Sequence, residues 1–262
     1  LCDADGEHQW QTRDGRRVTV QVSTSDIFDR QIGGAGLLVG LADLTQRKRI
    51  EEALRRQETL LRALAAASSL LLARHGEQPV PDALALVGEA VGADAAGVWE
   101  IEARGRTGTD AEATPLMHPR HAWHRDGTTE WGTCALPAGW HETLAAGQPL
   151  ECVAATATPP EAAFLSALGA GAAILLPIRV EASLWGAVVL VDGRREGGRG
   201  EIETRMLSGL ANDVGQLLLQ ERALAQLRLS ARVFAESGEA IAVTDARGNL
   251  VSVNRAFTEV TG

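Results

Sequence analysis

The sequence predicts a mixed α/β (α+β) fold, in which two long helices separate three regions that contain strands. Near the N-terminus apolar residues alternate with polar ones, a pattern typical of strands with one buried face. Residues 46–73 and 201–228 instead repeat apolar positions at intervals of three and four, a pattern typical of helices that pack along one side. Apolar residues make up 45% and charged residues 23% of the chain, as in ordinary globular proteins.

Charge and hydropathy exclude several classes of protein. The net charge is −9, whereas binding to nucleic acid or to anionic membranes needs clustered positive charge. No run approaches the roughly 20 apolar residues that cross a bilayer, and no signal peptide is visible. We therefore expect a cytoplasmic chain with no nucleic-acid or membrane partner. We also expect it to be an internal piece of a longer protein.

The counts of lysine and cysteine exclude further chemistry. The single lysine, Lys48, lies between two arginines, which is not the setting of a P-loop, a kinase ATP-anchoring lysine or a Schiff-base lysine. The cysteines Cys2, Cys134 and Cys152 form no CxxC pair, so neither a disulfide framework nor a zinc knuckle is expected. We predict that the chain has no catalytic residues.

Residues 1–45 are predicted to be the C-terminal part of a small β-rich domain. Its parts are a strand at Gln9–Arg13, a turn at Asp14-Gly15, a strand whose buried face is Val18, Val20 and Val22, a glycine turn at residues 33–36, and a strand at Leu37–Asp43. Three antiparallel strands are too few to fold well alone. We therefore expect the first half of this domain to precede them.

Residues 46–74 are predicted to form one helix with a heptad seam. The seam residues are Ile50, Leu54, Gln57, Leu61, Leu64, Ser68 and Leu71, of which Gln57 and Ser68 are polar breaks. We predict that this seam pairs with a second chain, because the first half of the helix is rich in charged residues. The alternative is an amphipathic helix that lies on its own domain.

Residues 75–222 are predicted to form the middle domain, after a polar break at residues 75–81. Its helices are predicted at Pro81–Val91, Pro137–Ala146 with Gly147 as the C-cap, Pro159–Leu168, and Glu201 to about Arg228. Its strands are predicted at Ala95–Glu102, Leu116–Arg125, Ala172–Val180 and Leu184–Asp192, with loops at residues 103–115 and 193–200. In the last helix, heptad-like spacing joins Leu207, Leu210, Val214, Leu217 and Leu224, and Glu221 interrupts it.

Residues 223–262 are predicted to hold the end of this helix and the start of a third domain. Ala240–Thr244 and Leu250–Val253 are predicted as two strands around a turn at residues 245–249. Asn254 is predicted to cap a helix at Arg255–Val260.

Two segments resemble PAS domains. Asp43-Leu44-Thr45 lies directly after a strand and before a heptad helix, and it resembles the Asp-(Ile/Leu)-Thr motif that joins the last strand of a PAS domain to a signalling helix. The stretch 233–262, with Ile241-Ala242-Val243-Thr244-Asp245 and Asn254, resembles the start of a second PAS domain. The resemblance implies that residues 1–45 and 223–262 are parts of two PAS domains.

The middle domain resembles a GAF domain. The matching pieces are the helix Leu60–Leu72, the strand Ala96–Ile101, Leu176-Pro177-Ile178-Arg179-Val180, Leu184-Trp185-Gly186 and Asp192. The resemblance implies a central antiparallel sheet flanked by helices. A PAS–GAF–PAS series is similar to the sensory region of bacterial signalling proteins, whose outputs are commonly diguanylate cyclase/phosphodiesterase pairs or histidine kinases.

The resemblance implies a function in sensing and relay without catalysis. We predict that the helices 46–73 and 201–228 pair in a homodimer and carry small changes in register to a downstream enzyme. A cyclic-di-GMP output is favoured, because the closing PAS start looks like those of such proteins. The alternatives are a histidine kinase output, a GAF receptor that binds a chromophore or haem, and a dimerisation spacer without a ligand.

The candidate ligand-binding residues are Trp123, Trp140, His141 and Asp192. The resemblance places Trp123 and Trp140 on a strand and a short helix that border the ligand cavity, and an indole offers a large apolar face with one N–H donor. Core packing is the alternative for these tryptophans, and Trp185 is predicted to be structural. We expect an unidentified small molecule and no bound cofactor.

Three kinds of ligand are weighed and rejected: a metal, an attached bilin and a cyclic nucleotide. Three histidines are spaced three apart, but on a strand His118 and His124 share a face while His121 points away, so they are not expected to bind metal. Cys134 and Cys152 are not followed by the histidine that usually follows the bilin-attaching cysteine of GAF domains, so no bilin attachment is expected. The middle domain lacks the lysine of the cyclic-nucleotide-binding set, so that ligand is not expected either.

Overall fold

A computed structural model describes residues 6–29, 34–73, 79–102, 114–127, 131–193 and 200–262. The chain divides into two compact units, Leu1–Arg62 and Ala63–Gly262. Among the described residues, no helix combines the length and the apolar character needed to cross a bilayer.

The first unit contains a three-stranded antiparallel sheet. Its strands are β1 (Gly6–Gln11), β2 (Arg17–Asp29) and β3 (Gly34–Asp43), hydrogen-bonded in that order. Val18, Val20 and Val22 are buried, which confirms the face predicted from their alternation. Gly15 has a φ of 85°, as the predicted turn requires.

Three boundaries in this unit differ from the prediction. Strand β1 begins at Gly6 and not at Gln9, because Gly6 already pairs with Val22 of β2. Strand β1 ends at Gln11 and not at Arg13, because the amide of Thr12 already donates to the carbonyl of Arg16 (2.8 Å) and closes the turn. Strand β3 begins at Gly34, so residues 34–36 pair with β2 and do not form the predicted glycine turn. Gly33 lies outside the described residues.

Helix α1 (Thr45–Ala73) follows β3, as predicted. Its start is fixed by the Asp43 carboxylate, which accepts the backbone N–H of Thr45 at 2.8 Å, while the Thr45 hydroxyl accepts the backbone N–H of Thr19 at 2.9 Å. Along the predicted seam, Ile50 and Leu54 are exposed whereas Leu71 is buried. The seam is therefore open in the first half of the helix and covered near its end.

The second unit is built on a six-stranded antiparallel sheet with helices on both faces. Its strands are β4 (Ala95–Ile101), β5 (Leu116–His124), β6 (Cys134–Ala135), β7 (Leu150–Val153), β8 (Ala172–Val180) and β9 (Ser183–Asp192), in the order β6-β5-β4-β9-β8-β7. Its helices are α2 (Pro79–Val91), α3 (Trp140–Ala145), α4 (Pro159–Leu168) and α5 (Glu201–Glu236). This architecture confirms the predicted fold class.

Most predicted elements of this unit are present, and the differences are local. Helix α4 and strand β8 have the predicted bounds. Helix α3 begins at Trp140 and not at Pro137, because Gly139 takes a left-handed conformation (φ 82°) just before it. Strands β6 and β7 were not predicted, since two and four residues are too few to show a period. Residues 74–78, 103–113 and 194–199, which include most of the predicted break and loops, lie outside the described residues.

The two faces of this sheet pack against different helices. Ala95, Trp99 and Ile101 point to one face and form a core cluster with residues of α3 and α4. We call this the closed face. The alternate residues, such as Val98, point to the other face, where α2 packs on β4 and β5 and α5 packs on β8 and β9. We call this the open face.

Helix α5 continues to Glu236, eight residues beyond the predicted end. It is followed by the hairpin β10 (Ala242–Thr244) and β11 (Leu250–Val253), and by α6 (Arg255–Thr261). The Asn254 carboxamide oxygen accepts the backbone N–H of Phe257 at 3.0 Å and that of Ile241 at 2.8 Å. Asn254 is therefore the predicted helix cap, and it also fixes the start of the hairpin.

Candidate functional site

The closed face is filled by aromatic side chains. Trp99 and Trp131 stack at a ring-centroid distance of 5.3 Å, and His124 meets Trp131 edge-on at 4.5 Å. The Trp131 indole N–H donates to the carbonyl of Leu168 at 3.3 Å. Within the described part of the chain, Trp99 Nε1 and His124 Nε2 are buried without a hydrogen-bond partner. These rings therefore contribute mainly through apolar packing.

Trp140 extends this packing towards α4. Its ring meets Phe164 edge-on at 5.2 Å, and its indole N–H donates to the Glu161 carboxylate at 3.3 Å. The same carboxylate accepts the backbone N–H of Thr158 at 2.8 Å and completes the capping box of α4. The bonds from Thr158 and then from Trp140 hold the pKa of Glu161 below its usual value. Trp140 is thus a core residue that also positions the start of α4.

The structure does not bring the four predicted ligand-binding residues into one site. Trp123 pairs with Ala96 on the open face and packs on Gly88 of α2, where an added Cβ would lie 2.3 Å from its ring. Trp140 lies on the closed face, and half-buried His141 follows it in α3. Asp192 is buried at the end of β9, where it pairs with Ala172. The sheet separates Trp123 from Trp140, and ligand binding by any of the four stays a prediction.

The predicted arrangement of the three strand histidines is wrong. In β5, His121 pairs with Val98 but Pro119 pairs with Trp99, so Arg120 is an extra residue, a β-bulge. A bulge reverses the alternation beyond it. His118 and His121 therefore share the open face, while His124 points to the closed face. Among the described residues, no group of three or more histidine, cysteine or acidic side chains could hold a metal ion.

The cysteines of the middle domain are buried in the closed-face core. Cys134 and Cys152 both belong to that cluster. Burial raises the pKa of the Cys134 thiol to about 11, and burial together with the charge of Glu161 raises the pKa of Cys152. Thiolate is the nucleophilic form of cysteine, so both groups are poor nucleophiles near neutral pH.

The open face contains a cavity of about 470 Å³ between the sheet, the start of α2 and the middle of α5. Its floor is Val98 of β4, and one wall is the stripe Val214, Leu217 and Glu221 of α5. The lining residues are Pro79, Val80, Pro81, Val98, Arg120, His121, Trp185, Val214, Leu217, Leu218 and Glu221. The interior is apolar, and its polar groups lie at the rim.

Two β-bulges direct side chains into this cavity. The first is Arg120 of β5, described above. The second is in β9, where Gly186 pairs with Ile178 but Leu184 pairs with Arg179, which leaves Trp185 as the extra residue. Trp185 consequently faces α5, whereas Leu184 packs on the closed-face core. Trp185 was predicted to be structural, and its position in the cavity lining was not predicted.

Gly186 follows the second bulge and allows β9 to lie very close to β4. A Cβ on Gly186 would be only 1.9 Å from the carbonyl oxygen of Trp99. Any side chain here would push the two strands apart. The Trp-Gly pair noted in the sequence therefore has two roles, since glycine permits the close approach and tryptophan reaches the cavity.

Among the described residues, the rim includes Arg120, Glu100 and Glu221. The Arg120 guanidinium donates from Nε to the Glu100 carboxylate at 2.6 Å and from Nη2 to the same oxygen. Loss of hydration lowers the pKa of His121, and the positive charge of Arg120 acts in the same direction. The nearby Glu221 carboxylate opposes this by raising the pKa of His121. His121 is therefore mainly neutral at pH 7.

The fold is that of an α+β domain with an antiparallel sheet between two layers of helices. The GAF domain family matches residues 77–218, which is more than half of the chain. The chain belongs to the GAF domain family, as its sequence indicated. GAF domains are generally non-catalytic sensory domains, so the central region of this chain is a sensory domain of a signalling protein.

The chain is similar to one curated protein and to several solved structures. It is 29% identical over 233 residues to the methanogenesis regulatory histidine kinase FilI of Methanothrix harundinacea, a match that covers 85% of this chain. The chain spans about a quarter of that protein's length, since the match covers 25% of it.

Two of the similar solved structures are described as light-absorbing forms. One is the blue-light-absorbing form of the PixJ GAF domain of Thermosynechococcus elongatus, with 18% identity, 63% of this chain and 95% of that chain covered, and a TM-score of 0.48. The other is a far-red-absorbing dark state with bound biliverdin IXα, with 12% identity, 60% and 98% coverage, and a TM-score of 0.51. At these identities the likeness concerns the fold alone.

Proposed function

We propose that this chain is the sensory and signal-relay region of a signal-transduction protein, and that it works as a homodimer in which α1 and α5 pair with their counterparts. The observation that carries the proposal is the continuity of α5, a single helix of 36 residues. At about 1.5 Å per residue it extends over roughly 54 Å. Such a helix can carry a displacement at its first half to whatever follows its second half.

The two halves of α5 have different surroundings. In the first half Leu207, Leu210 and Val214 are buried against the sheet. In the second half Leu227 is 66% exposed, and Leu224 is also exposed. The residues at heptad-like spacing were predicted to pair two chains. Up to Leu217 they pack within one chain instead. The exposed leucines of α5 lie in its second half, where a partner could cover them.

A second copy of this chain is the partner that we propose for these residues. Helix α1 presents Ile50 and Leu54, 61% and 63% exposed, at a spacing of four, as expected for a seam. Within one chain, the Ser68 hydroxyl of α1 donates to the Asp213 carboxylate of α5. This bond supports coupled movement of the two helices, since a shift of one changes a part-buried polar contact of the other.

We propose a histidine kinase as the output, because the curated relative is named a histidine kinase. The cyclic-di-GMP output favoured from the sequence finds no support in that relative. We keep the two PAS parts at residues 1–45 and 223–262 as proposals, together with a location in the cytoplasm. A covalently bound bilin is not proposed, because Cys134 and Cys152 are buried with raised pKa values.

The dimer is tested with two leucines of the same helix. Leu227→Glu places a charge in the proposed seam, whereas Leu229→Glu changes a similarly exposed leucine about 200° further around the helix. Sedimentation equilibrium should show a wild-type dimer whose Kd rises at least about tenfold in L227E, because burying an unpaired charge costs more than about 1.4 kcal/mol. L229E should dimerise like wild type.

The opposite results would contradict the proposal. A wild-type chain that remains monomeric at about 100 µM, a concentration at which a functional dimer would form, has no paired helices. Equal effects of the two substitutions would place the contact elsewhere. Circular dichroism of both variants separates a lost dimer from a lost fold.

A further inference from the structure

We propose that the closed face contains a ligand site in which the Trp131 ring is a displaceable internal occupant, and that an uncharged planar heteroaromatic molecule binds there in its place. This inference rests on the proposed sensory function and assigns a site and the chemical class of its ligand. The observation that carries it is a pair of buried nitrogen atoms without hydrogen bonds, one on each of the two rings that flank Trp131.

Trp131 lies over a glycine between two other rings. On β4, Gly97 is two residues from Trp99 and two residues from Ala95, whose partner in β5 is His124. A Cβ on Gly97 would lie 2.4 Å from Cζ3 of Trp131 and 3.0 Å from Nε1 of Trp99, so only glycine leaves room for the ring. We call the space bounded by Gly97, Trp99 and His124 the aromatic slot. The Trp131 side chain fills this slot with one planar ring system.

The slot contains two nitrogen atoms that Trp131 does not satisfy. Within the part of the chain that the structure describes, Trp99 Nε1 and His124 Nε2 are buried without a hydrogen-bond partner. The N–H of Trp131 donates outside the slot, to the carbonyl of Leu168 at 3.3 Å. A buried polar atom without a partner destabilises the fold, whereas a phenylalanine ring in its place would carry no such atom. Two such atoms around one ring therefore indicate a partner other than Trp131.

Trp131 is attached less firmly than the two rings beside it. Trp99 and His124 belong to strands, whereas residues 131–133 belong to neither a strand nor a helix. The hydrogen bond from Trp131 to Leu168 is longer than usual, at 3.3 Å. A Cβ added to Gly132 would meet none of the described residues beyond its chain neighbours within 4 Å. The Trp131 ring can therefore leave the slot while the strands keep their pairing.

The surroundings of the slot define the class of ligand. The described members of the core cluster around it are all uncharged, and Met117 and Leu136 are inaccessible to water. A charged ligand would lose its hydration there without a counter-ion. To replace Trp131, the ligand must be planar and about as large as an indole, and it needs an acceptor atom for the Trp99 N–H. An uncharged heteroaromatic bicycle with an acceptor nitrogen in the ring has these properties.

Binding in the slot is coupled to a change of conformation. The ligand binds only those chains in which the Trp131 ring has left, so it shifts the equilibrium between two positions of the segment that leads into β6 (Cys134–Ala135). The apparent affinity is lowered in proportion to the fraction of chains whose slot is open. Removal of the Trp131 ring should therefore raise the affinity.

The test compares benzimidazole with indole on the full chain, through the indole N–H signals in ¹⁵N–¹H NMR spectra. The two probes have the same bicyclic shape, and benzimidazole has an acceptor nitrogen where indole has a C–H group. Both probes and His124 are uncharged at about pH 8. Benzimidazole should shift the Trp99 and Trp131 signals saturably and leave Trp185 on the open face unchanged. It should bind at least about fivefold more tightly than indole, the effect of one net hydrogen bond.

Three substitutions make the assignment specific. Trp99→Phe removes the donor and should abolish the preference for benzimidazole or invert it. Trp140→Phe removes an N–H on the same face that already bonds to Glu161, so this variant should keep the preference. Trp131→Ala empties the slot and should tighten the binding of both probes at least about tenfold. Circular dichroism checks each fold, and if W131A does not fold, the native chain and W99F decide the proposal by themselves.

Four results would overturn the proposal. The first is that neither probe shifts the Trp131 signal of the native chain at about 5 mM, where even a weak ligand would bind. The second is that indole binds as tightly as benzimidazole. The third is that W99F and W140F have the same preference. The fourth is that a folded W131A binds the probes no more tightly than the native chain.

Failure here is distinguishable from failure of the proposed function. The L227E variant should keep benzimidazole binding, because Leu227 lies outside the closed-face cluster. A dimer without benzimidazole binding would refute the site and leave the relay standing. A monomer that binds benzimidazole would refute the relay and leave the site standing.

Discussion

The two faces of the central sheet are built from alternate residues of the same strands, yet the closed face is densely packed and the open face contains a cavity. On the closed face, large rings occupy the space between the sheet and α3 and α4, with Trp99, Trp131 and Trp140 among them. On the open face, small residues let the helices approach. Gly88 allows α2 to pack on Trp123. Gly215 allows α5 to lie so close to the sheet that an added Cβ would be 2.6 Å from the Arg179 carbonyl oxygen.

This difference shows how a cavity survives in a well-packed domain. Both open-face helices approach the sheet at glycines, α2 through Gly88 against the Trp123 ring and α5 through Gly215 against the Arg179 backbone. Val98 lies beneath the space that they leave between them. Filling that space would require longer side chains on α5, whereas the chain carries Val214 and Leu217 there. The helices therefore stay fixed at glycine contacts while the region between them stays open.

The largest expected effect comes from truncating the closed face. Trp99 is fully buried, so Trp99→Ala should lower the free energy of unfolding by about 3–5 kcal/mol through lost packing and a new cavity. Trp185→Ala removes a ring of the same kind from an existing cavity and should cost about 1 kcal/mol. Urea titrations of both variants measure the difference. Equal losses would mean that the open face is as tightly packed as the closed one.

Much of the fold follows from local patterns in the sequence. The alternation of Val18, Val20 and Val22 predicts a face that the structure shows buried. The prolines that open α4 and the glycine that ends it fix the bounds of that helix without reference to the rest of the chain. Strand β7 could not be found in this way, because four residues at a sheet edge are defined by their partner strand and not by their own period.

The candidate site was harder to predict than the fold, for a physical reason. The faces assigned to His118, His121 and His124 assumed an unbroken strand, and one extra residue at Arg120 reverses that assignment. A bulge depends on how two strands pair, so the pattern of one strand alone does not reveal it. The proline at position 119 was a signal of irregular pairing, and a Trp-Gly pair at the start of β9 was a second, weaker one.

The next largest effect concerns the reactivity of thiols on the two faces. With its pKa raised from 9.0 to about 11, Cys134 should react about 100-fold more slowly with a disulfide reagent than an unperturbed thiol, because 100-fold less thiolate is present. A cysteine introduced by Leu218→Cys on the cavity wall should react fast. Absorbance of the released thiolate at pH 8 gives both rates in a background where Cys2 is replaced by serine and Cys152 by alanine. Fast reaction of Cys134 would show that the closed face opens.

A smaller effect is expected where α5 meets the sheet. Gly215→Ala places a Cβ 2.6 Å from the Arg179 carbonyl oxygen and should destabilise the domain by about 1–2 kcal/mol, since α5 must shift outward. Gly209→Ala is the matched control in the same helix, because its Cβ would meet none of the described residues beyond its own helix within 4 Å. It should stabilise the domain by about 1 kcal/mol through helix propensity. If both substitutions changed the free energy of unfolding in the same direction, the close approach of α5 to the Arg179 carbonyl oxygen would be contradicted.

The smallest expected effect is a pH dependence that separates the two faces. Desolvation lowers the pKa of His124, which stacks on Trp131 with an unpartnered buried nitrogen. Below its ordinary value, near 6.5, the unfolded chain takes up a proton that the folded chain resists, so stability falls as the pH is lowered through that value. Phenylalanine keeps a ring against Trp131 but cannot titrate.

His124→Phe should therefore flatten the loss of stability between about pH 7.5 and pH 5.5, a range that avoids the carboxylates. It should also stabilise the fold slightly at the higher pH, because it removes a buried polar atom without a partner. Urea midpoints at the two pH values measure both effects. Loss of hydration lowers the pKa of His121 as well, and a nearby carboxylate raises the pKa of each ring, Asp126 for His124 and Glu221 for His121. His121→Phe on the open-face rim should nevertheless flatten the slope less, because the His121 side chain is exposed whereas His124 has a nitrogen shielded from water. A larger effect of His121→Phe than of His124→Phe on the pH dependence of stability would mean that His121 loses more hydration on folding. The contrast between the two faces would then be reversed.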